Sequence, residues 1–262
     1  MMLIRGRVVG ESLDGEIVRV GCKETCYNLP NCILAFMDSH NHCILFDFNS
    51  TIQLKVEETD EPLFVAFKTW LPSDSCPIYS EMLPVVKIGE DTIPWTKTSN
   101  TFNFLKCVGD WKMFQRPSGI TVCMQPISLY QNISLTEARD YCEGLGYKMT
   151  GLGTVEEAQW AFKKMNEIHP NLKQWEGFWM DGHRNCTPPL KADCQVFSWT
   201  DGYTVGNKAL AAADISYHNW GDPRIYHNCL QMGRPQYGKV FNDVDCNGTD
   251  IFFGVICGYR LY

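Results

Sequence analysis

Ser216, His218, Asp222, His227 and Asp243 lie in one stretch near the C-terminus, a set from which a hydrolytic nucleophile, base and acid could be drawn. The motifs that would position such a set are missing. The sequence has no nucleophile elbow, no His-Glu-x-x-His and no phosphate-cradling glycine loop. Gly144-Leu145-Gly146 and Gly151-Leu152-Gly153 read instead as helix-ending glycines. The expectation is a protein that is not an enzyme.

The other reactive groups are the 13 cysteines among 262 residues. That density does not suit a reducing cytosol, and the paired C-x-x-C knuckles of a zinc site are absent, so the thiols are read as disulfides. An odd count leaves one cysteine unpaired or paired to another chain. Disulfides require export. Met1-Met2-Leu3-Ile4-Arg5 is too short and too soon charged for a signal peptide, so the start is read as a mature or truncated form. Asn49, Asn132, Asn185 and Asn247 each head an Asn-x-Ser/Thr acceptor, which an exported chain can glycosylate.

Charge narrows the partners. The net charge is -7, and residues 1 to 75 hold 6 basic against 11 acidic side chains, with 17 against 19 afterwards. Without a basic stripe there is no nucleic-acid footprint. No apolar run reaches the ~18 residues of a membrane span.

Several kinds of element must position these groups. Leu3 to Val9 reads as a strand, Asp14-Gly15 as a turn and Gly21 to Asn28 as a short helix. Ile33 to Met37, Cys43 to Phe48 and Leu63 to Lys68 read as strands, tied to the helix by Cys22, Cys26, Cys32 and Cys43. Sequence alone allows three pairings of those four. After Pro72, prolines 77, 84 and 94 interrupt a connector over residues 73–106, with a hairpin around Ile93 to Thr96 and Thr101 to Phe104. Cys76 in that stretch pairs with Cys107, stays free or meets another chain.

Farther on, Ser134-Leu135-Thr136-Glu137 and Thr154-Val155-Glu156-Glu157 read as capping boxes that open two helices. The spacing of Ala138, Tyr141 and Cys142, and of Ala158, Ala161, Phe162 and Met165, predicts two apolar faces packed on a sheet.

The helix with C-x3-C, followed by two cysteines on strands and a closing Phe-Lys strand, resembles a PAN/apple module of the nematode type. That resemblance covers residues 1–72 and implies the bridges Cys22 to Cys43 and Cys26 to Cys32. Residues 107–262 resemble a long-form C-type lectin-like domain. The residues that carry the likeness are Cys107, Trp111 and Cys123, the helix with Ala138 and Cys142, Phe178-Trp179-Met180-Asp181-Gly182, Phe197 to Gly202, Cys229, Cys246 and Cys257. The implied bridges are Cys107 to Cys123, Cys142 to Cys257, Cys229 to Cys246 and an added clasp, Cys186 to Cys194. The expected fold class is α+β: a lectin-like fold of two helices, antiparallel sheets and a long disulfide-braced loop region, preceded by a small PAN/apple-like α+β domain.

The resemblance also places a ligand site. In sugar-binding members a Pro-centred triplet, a later acid and an Asn-Asp pair surround a calcium ion shared with sugar hydroxyls. Carried over, these positions fall on Asp222-Pro223-Arg224, His227 and Asn242-Asp243. Calcium takes six to eight oxygens. Of this set only Asp222, Asn242 and Asp243 are candidate metal ligands, because Arg224 offers no acceptor and His227 prefers softer metals. Only five residues separate Pro223 from Cys229, a shorter loop than sugar-binding members usually have. The expectation is a degraded calcium site in which Arg224 takes the cation's place beside Asp222 or Asp243. Calcium remains a candidate cofactor.

Trp179 and Trp199 are read as core fillers, whereas Trp220 suits packing or sugar contact equally. Trp220, Asp222, Arg224, His227, Asn242 and Asp243 form the candidate carbohydrate site. The implied function is secreted, extracellular recognition of a glycan ligand at a cell or microbial surface, in innate defence by resemblance. The alternative is a protein-binding module on the same scaffold that uses neither calcium nor sugar.

Overall fold

The computed structural model describes residues 1–10, 16–18, 21–38, 42–71, 82–89, 91–185, 196–211, 217–218, 227–233 and 240–262. Contacts divide the chain into two compact units, Met1–Asp110 and Trp111–Tyr262. Among the described residues, no helix is long and apolar enough to cross a membrane.

The first unit contains β1 (Met2–Val9), β2 (Glu16–Val18), α1 (Cys22–Asn28), β3 (Cys32–Met37), β4 (Cys43–Asp47), β5 (Gln53–Glu58) and β6 (Phe64–Phe67). It continues with β7 (Val85–Ile88), β8 (Asp91–Pro94), β9 (Thr96–Thr98) and β10 (Thr101–Leu105). In β1, burial alternates from Met2 to Gly6, the period of two that a half-covered strand requires. The first half of β1 pairs with β6 and the second half with β5, so one strand joins two halves of a sheet ordered β2-β4-β3-β6-β1-β5-β10-β9. The stretch expected to act as a connector therefore supplies β9 and β10 to this sheet. Phe67, Trp95, Phe102 and Phe104 form its aromatic core, with Trp95 edge-on to Phe67 at 4.8 Å between ring centroids.

Cys22 and Cys26 lie one helical turn apart on α1 and are its buried residues. They bond to Cys43 and Cys32, the nested pairing that the likeness implied, with Cα separations of 5.4 and 5.2 Å. The turn at Asp14-Gly15 and the whole of Cys76 lie outside the described residues.

The second unit contains β11 (Lys112–Gln115), β12 (Thr121–Ser128), α2 (Leu135–Gly144), β13 (Lys148–Met149), α3 (Val155–Ile168), β14 (Gly177–His183), β15 (Tyr217–His218), β16 (Cys229–Gly233), β17 (Phe241–Val244) and β18 (Phe252–Leu261). The sheet order is β11-β12-β18-β14-β16-β17-β15, with β13 beside β18. Pairing is antiparallel except where β14 meets β18 and β15 meets β17. Cys142–Cys257 ties α2 to β18 across a sequence separation of 115, and Cys229–Cys246 closes 17 residues around β16 and β17. Cys107 and Cys123 are both disulfide-bonded, whereas Cys186 and Cys194 lie outside the described residues.

The helix caps depart in part from expectation. Ser134 and Glu137 form a full reciprocal capping box on α2. Thr154 caps α3 by accepting from the Glu157 N–H, but the Glu157 carboxylate turns away to Arg116 and the Gly153 N–H. Tyr141, expected on the buried face of α2, is 37% exposed, while Ala138 and Cys142 are fully buried. On α3, Ala158, Ala161 and Met165 are fully buried and Phe162 partly so.

Only one of the glycine pairs ends a helix. Gly146, at φ +83°, donates to the Glu143 carbonyl just past α2, a conformation that glycine reaches without the Cβ penalty. Gly151 and Gly153 instead precede α3, where a Cβ on Gly151 would lie 2.4 Å from the Trp199 ring. That glycine is there for close packing.

Two buried polar networks stitch the loop region to this core. Arg116 donates to both carboxylate oxygens of Glu157 at 2.7 and 2.9 Å, to the carbonyls of Tyr203 and Gly151, and to the Thr204 hydroxyl. Asp201 accepts from the N–H groups of Gly151, Tyr203 and Thr204 and from the hydroxyls of Thr150 and Thr204. Burial of that depth is tolerable because the polar atoms have partners.

Candidate functional site

Three strand ends converge around Asp243. β14 pairs with β16, bringing His183 opposite Cys229, and β16 pairs with β17, bringing Leu230 opposite Asp243. The Cys229–Cys246 bridge holds the β16 and β17 ends at a Cα separation of 5.2 Å. Irregular segments pinned in this way can present fixed groups at low ordering cost.

Arg184, the first residue after β14, points its side chain into this junction. Its backbone N–H donates to the Asn228 carbonyl at 2.9 Å. Its Nε donates to the His227 carbonyl at 2.9 Å, and its Nη2 donates to Asp243 Oδ2 at 2.5 Å. The guanidinium also lies 4.9 Å from the centroid of the Phe197 ring. Both partners are buried, with side-chain exposures of 2% for Arg184 and 0% for Asp243. Burial pushes the Asp243 carboxyl above the usual carboxylate range, opposed by the charges of Arg184 and His227 and by hydrogen bonding.

The junction is not fully satisfied. Among the described residues, Asp243 Oδ1 and His227 Nδ1 are buried without a hydrogen-bond partner. An unmet buried polar atom costs about 1–3 kcal/mol, a cost that an ordered water or a ligand group can offset. Among the described residues the other three such atoms, on Trp95, Gln125 and Asn207, belong to separate parts of the chain.

Asp181, on β14 in the same sheet, is a contrasting acid. It accepts from the Thr200 N–H, the Thr200 hydroxyl and the Asp201 N–H. Burial raises its pKa, with the Asp201 charge adding to the rise and the Thr200 bonds opposing it. Its oxygens are occupied by the loop it anchors.

Of the residues expected at the site, the structure brings together His227 and Asp243. Asn242 is half-buried and sits in register with Gln231 and His218. Trp220, Asp222, Pro223 and Arg224 lie outside the described residues, as does Ser216. Trp179 is a core residue, stacked on Phe252 with its Nε1 donating to the Ile133 carbonyl. Trp199 is partly buried in the core and donates to the Gly206 carbonyl.

The sequence reading missed Arg184. A signal was present: an arginine directly after a strand buried from Gly177 to Gly182 needs a counter-charge.

The calcium ion that the resemblance implies can be tested against these donors. Asp243 has one oxygen committed to Arg184, and any cation held by the other would face the guanidinium at close range. At an effective dielectric of ~20 and a separation of ~5 Å, a divalent ion would be repelled by on the order of 6 kcal/mol. Among the described residues, no three His, Cys, Asp or Glu side chains gather in a metal-holding arrangement. The described donors do not fit calcium.

Residues 1–69 match the PAN-like domain family. No curated protein matches the chain in sequence. Among solved structures, a Ca2+-dependent type II antifreeze protein in its Ca2+-free form is 18% identical, with a TM-score of 0.39, over 58% of this chain and 99% of its own. The cow C-type carbohydrate-recognition domain of CD23, determined with a GlcNAc2Man3 oligosaccharide, is 21% identical, with a TM-score of 0.36, over 59% of this chain and 95% of its own. CEL-IV is 15% identical, with a TM-score of 0.41, over 58% of this chain and 93% of its own.

Proposed function

We propose that this chain is a non-catalytic, extracellular recognition protein in which a PAN/apple-like front module precedes a lectin-like unit that binds carbohydrate. Residues 1–72 form the front module, 73–106 a joining segment that adds β9 and β10 to the front sheet, and 107–262 the binding unit. The disulfides support the extracellular setting, since such crosslinks persist outside reducing compartments. Asn49, Asn132, Asn185 and Asn247 are all exposed, as glycan attachment in that setting requires. A role in innate defence goes with the carbohydrate reading.

One observation carries the binding assignment: Asp243 Oδ1 and His227 Nδ1, unsatisfied among the described residues, beside the bridge-pinned ends of β16 and β17. Polar groups left unmet within a rigid frame are the kind that ligand hydroxyls or an ordered water can complete. The test is a glycan array probed with the oxidised full chain, once in calcium buffer and once in chelator. Binding of a defined set of glycans supports the proposal. A blank array in both buffers, with the chain folded, would favour the protein-binding alternative.

A further inference from the structure

We infer that Arg184 is the resident cation of this junction, holding Asp243 in the place a divalent ion would take, so that the face is assembled without calcium. The inference deepens the proposed function and rests on it for the identity of the face.

A carboxylate with no exposed surface must be neutralised by a proton, a metal or a fixed positive group. Asp243 has the third at 2.5 Å. The guanidinium is in turn held by the His227 carbonyl and the Phe197 ring, while the Arg184 backbone N–H bond to Asn228 fixes the residue that carries it. Arginine suits the role because its charge is permanent, weakly hydrated and spread over a planar fork of donors. A metal ion joins strand ends by sharing oxygens among them. Arg184 joins the same ends by donating to a carbonyl before β16 and a carboxylate on β17. A ligand would then be recognised by hydrogen bonds and packing, with no ion shared between protein and ligand.

The test uses the oxidised full chain. Thermal unfolding of the wild type is measured in millimolar calcium and again after excess chelator, and the expected result is the same Tm in both. A double-mutant cycle follows with Arg184→Met, Asp243→Asn and the two combined. Each single change strands a buried charge or donor and should lower Tm by roughly 6 to 15 °C, whereas the combination should cost clearly less than the sum. Arg184→Lys keeps the charge and should recover much of the loss, and Arg184→Gln replaces Arg184→Met in the cycle if that variant does not fold.

A chelator-reversible rise in wild-type Tm, or strictly additive losses, would overturn the inference. The glycan array separates this failure from that of the proposed function. Binding that vanishes in chelator removes the role of Arg184 and leaves carbohydrate recognition standing. A blank array with a calcium-indifferent Tm and a coupled cycle does the reverse.

Discussion

Among the described residues, the second unit buries two arginine–carboxylate pairs, and they are finished to different degrees. Around Arg116 and Glu157 both carboxylate oxygens are bonded, and the remaining donors reach Tyr203, Thr204 and Gly151. Around Arg184 and Asp243 one carboxylate oxygen and a neighbouring imidazole nitrogen have no partner among the described residues. The first cluster fixes α3 to the loop region and asks for nothing more. The second retains hydrogen-bonding capacity that the described residues do not use, at strand ends braced by a disulfide, where the proposed binding face would draw on it. Satisfaction, more than burial or charge, separates the polar groups that build the fold from those available for recognition.

The disulfides follow the same division and give the largest expected effect. In the loop-entropy account, Cys142–Cys257, with its separation of 115, contributes roughly 4.8 kcal/mol, against roughly 3 kcal/mol for Cys229–Cys246. Replacing Cys142 and Cys257 together with serine should lower the unfolding free energy by about that larger amount in denaturant titrations. Equal losses for the two bridges would blur the comparison.

Arg116→Met comes next. It leaves Glu157 buried and unpaired, and should cost about 3–5 kcal/mol by chemical denaturation while leaving the proposed glycan binding unchanged in the population that remains folded. A change in affinity at full folding would place this cluster in the site as well. Replacing Cys229 and Cys246 with serine should cost about 3 kcal/mol and also weaken binding on the array, because it loosens the strand ends that carry Asp243.

A smaller effect distinguishes Asp181 by its pH dependence. Its folded pKa lies above the usual 3.8, raised chiefly by burial, so its stabilising contribution is fully present below that value and is lost as pH rises through the folded pKa. Asp181→Asn cannot ionise. The Tm advantage of the wild type over that variant should therefore shrink as pH rises from 3.8, and an advantage that grows with pH would contradict the assignment.

Much of the fold was legible because its causes are local. The alternation in β1, the cap at Ser134 and the spacing of Cys22 and Cys26 depend on neighbours within a few residues. Where contacts across the fold compete, local reading misdirects. Glu157 has the right spacing for a capping box, but a guanidinium 41 residues away binds it more strongly. Tyr141 has core spacing, yet it lies toward the rim of the α2 face and stays 37% exposed.

The site is legible in part. The resemblance places His227 and Asp243 in it and offers Arg224 as the cation beside Asp222 or Asp243, a position outside the described residues. Arg184 is separated from Asp243 by 59 residues, and only the pairing of β14, β16 and β17 brings them together.

The most direct test of this account is the response of wild-type unfolding to calcium. With Arg184 as the fixed cation at Asp243, Tm should be the same in saturating calcium and in chelator. A Tm that rises with calcium and falls back on chelation would mean that the junction holds a metal and that the pair was misassigned.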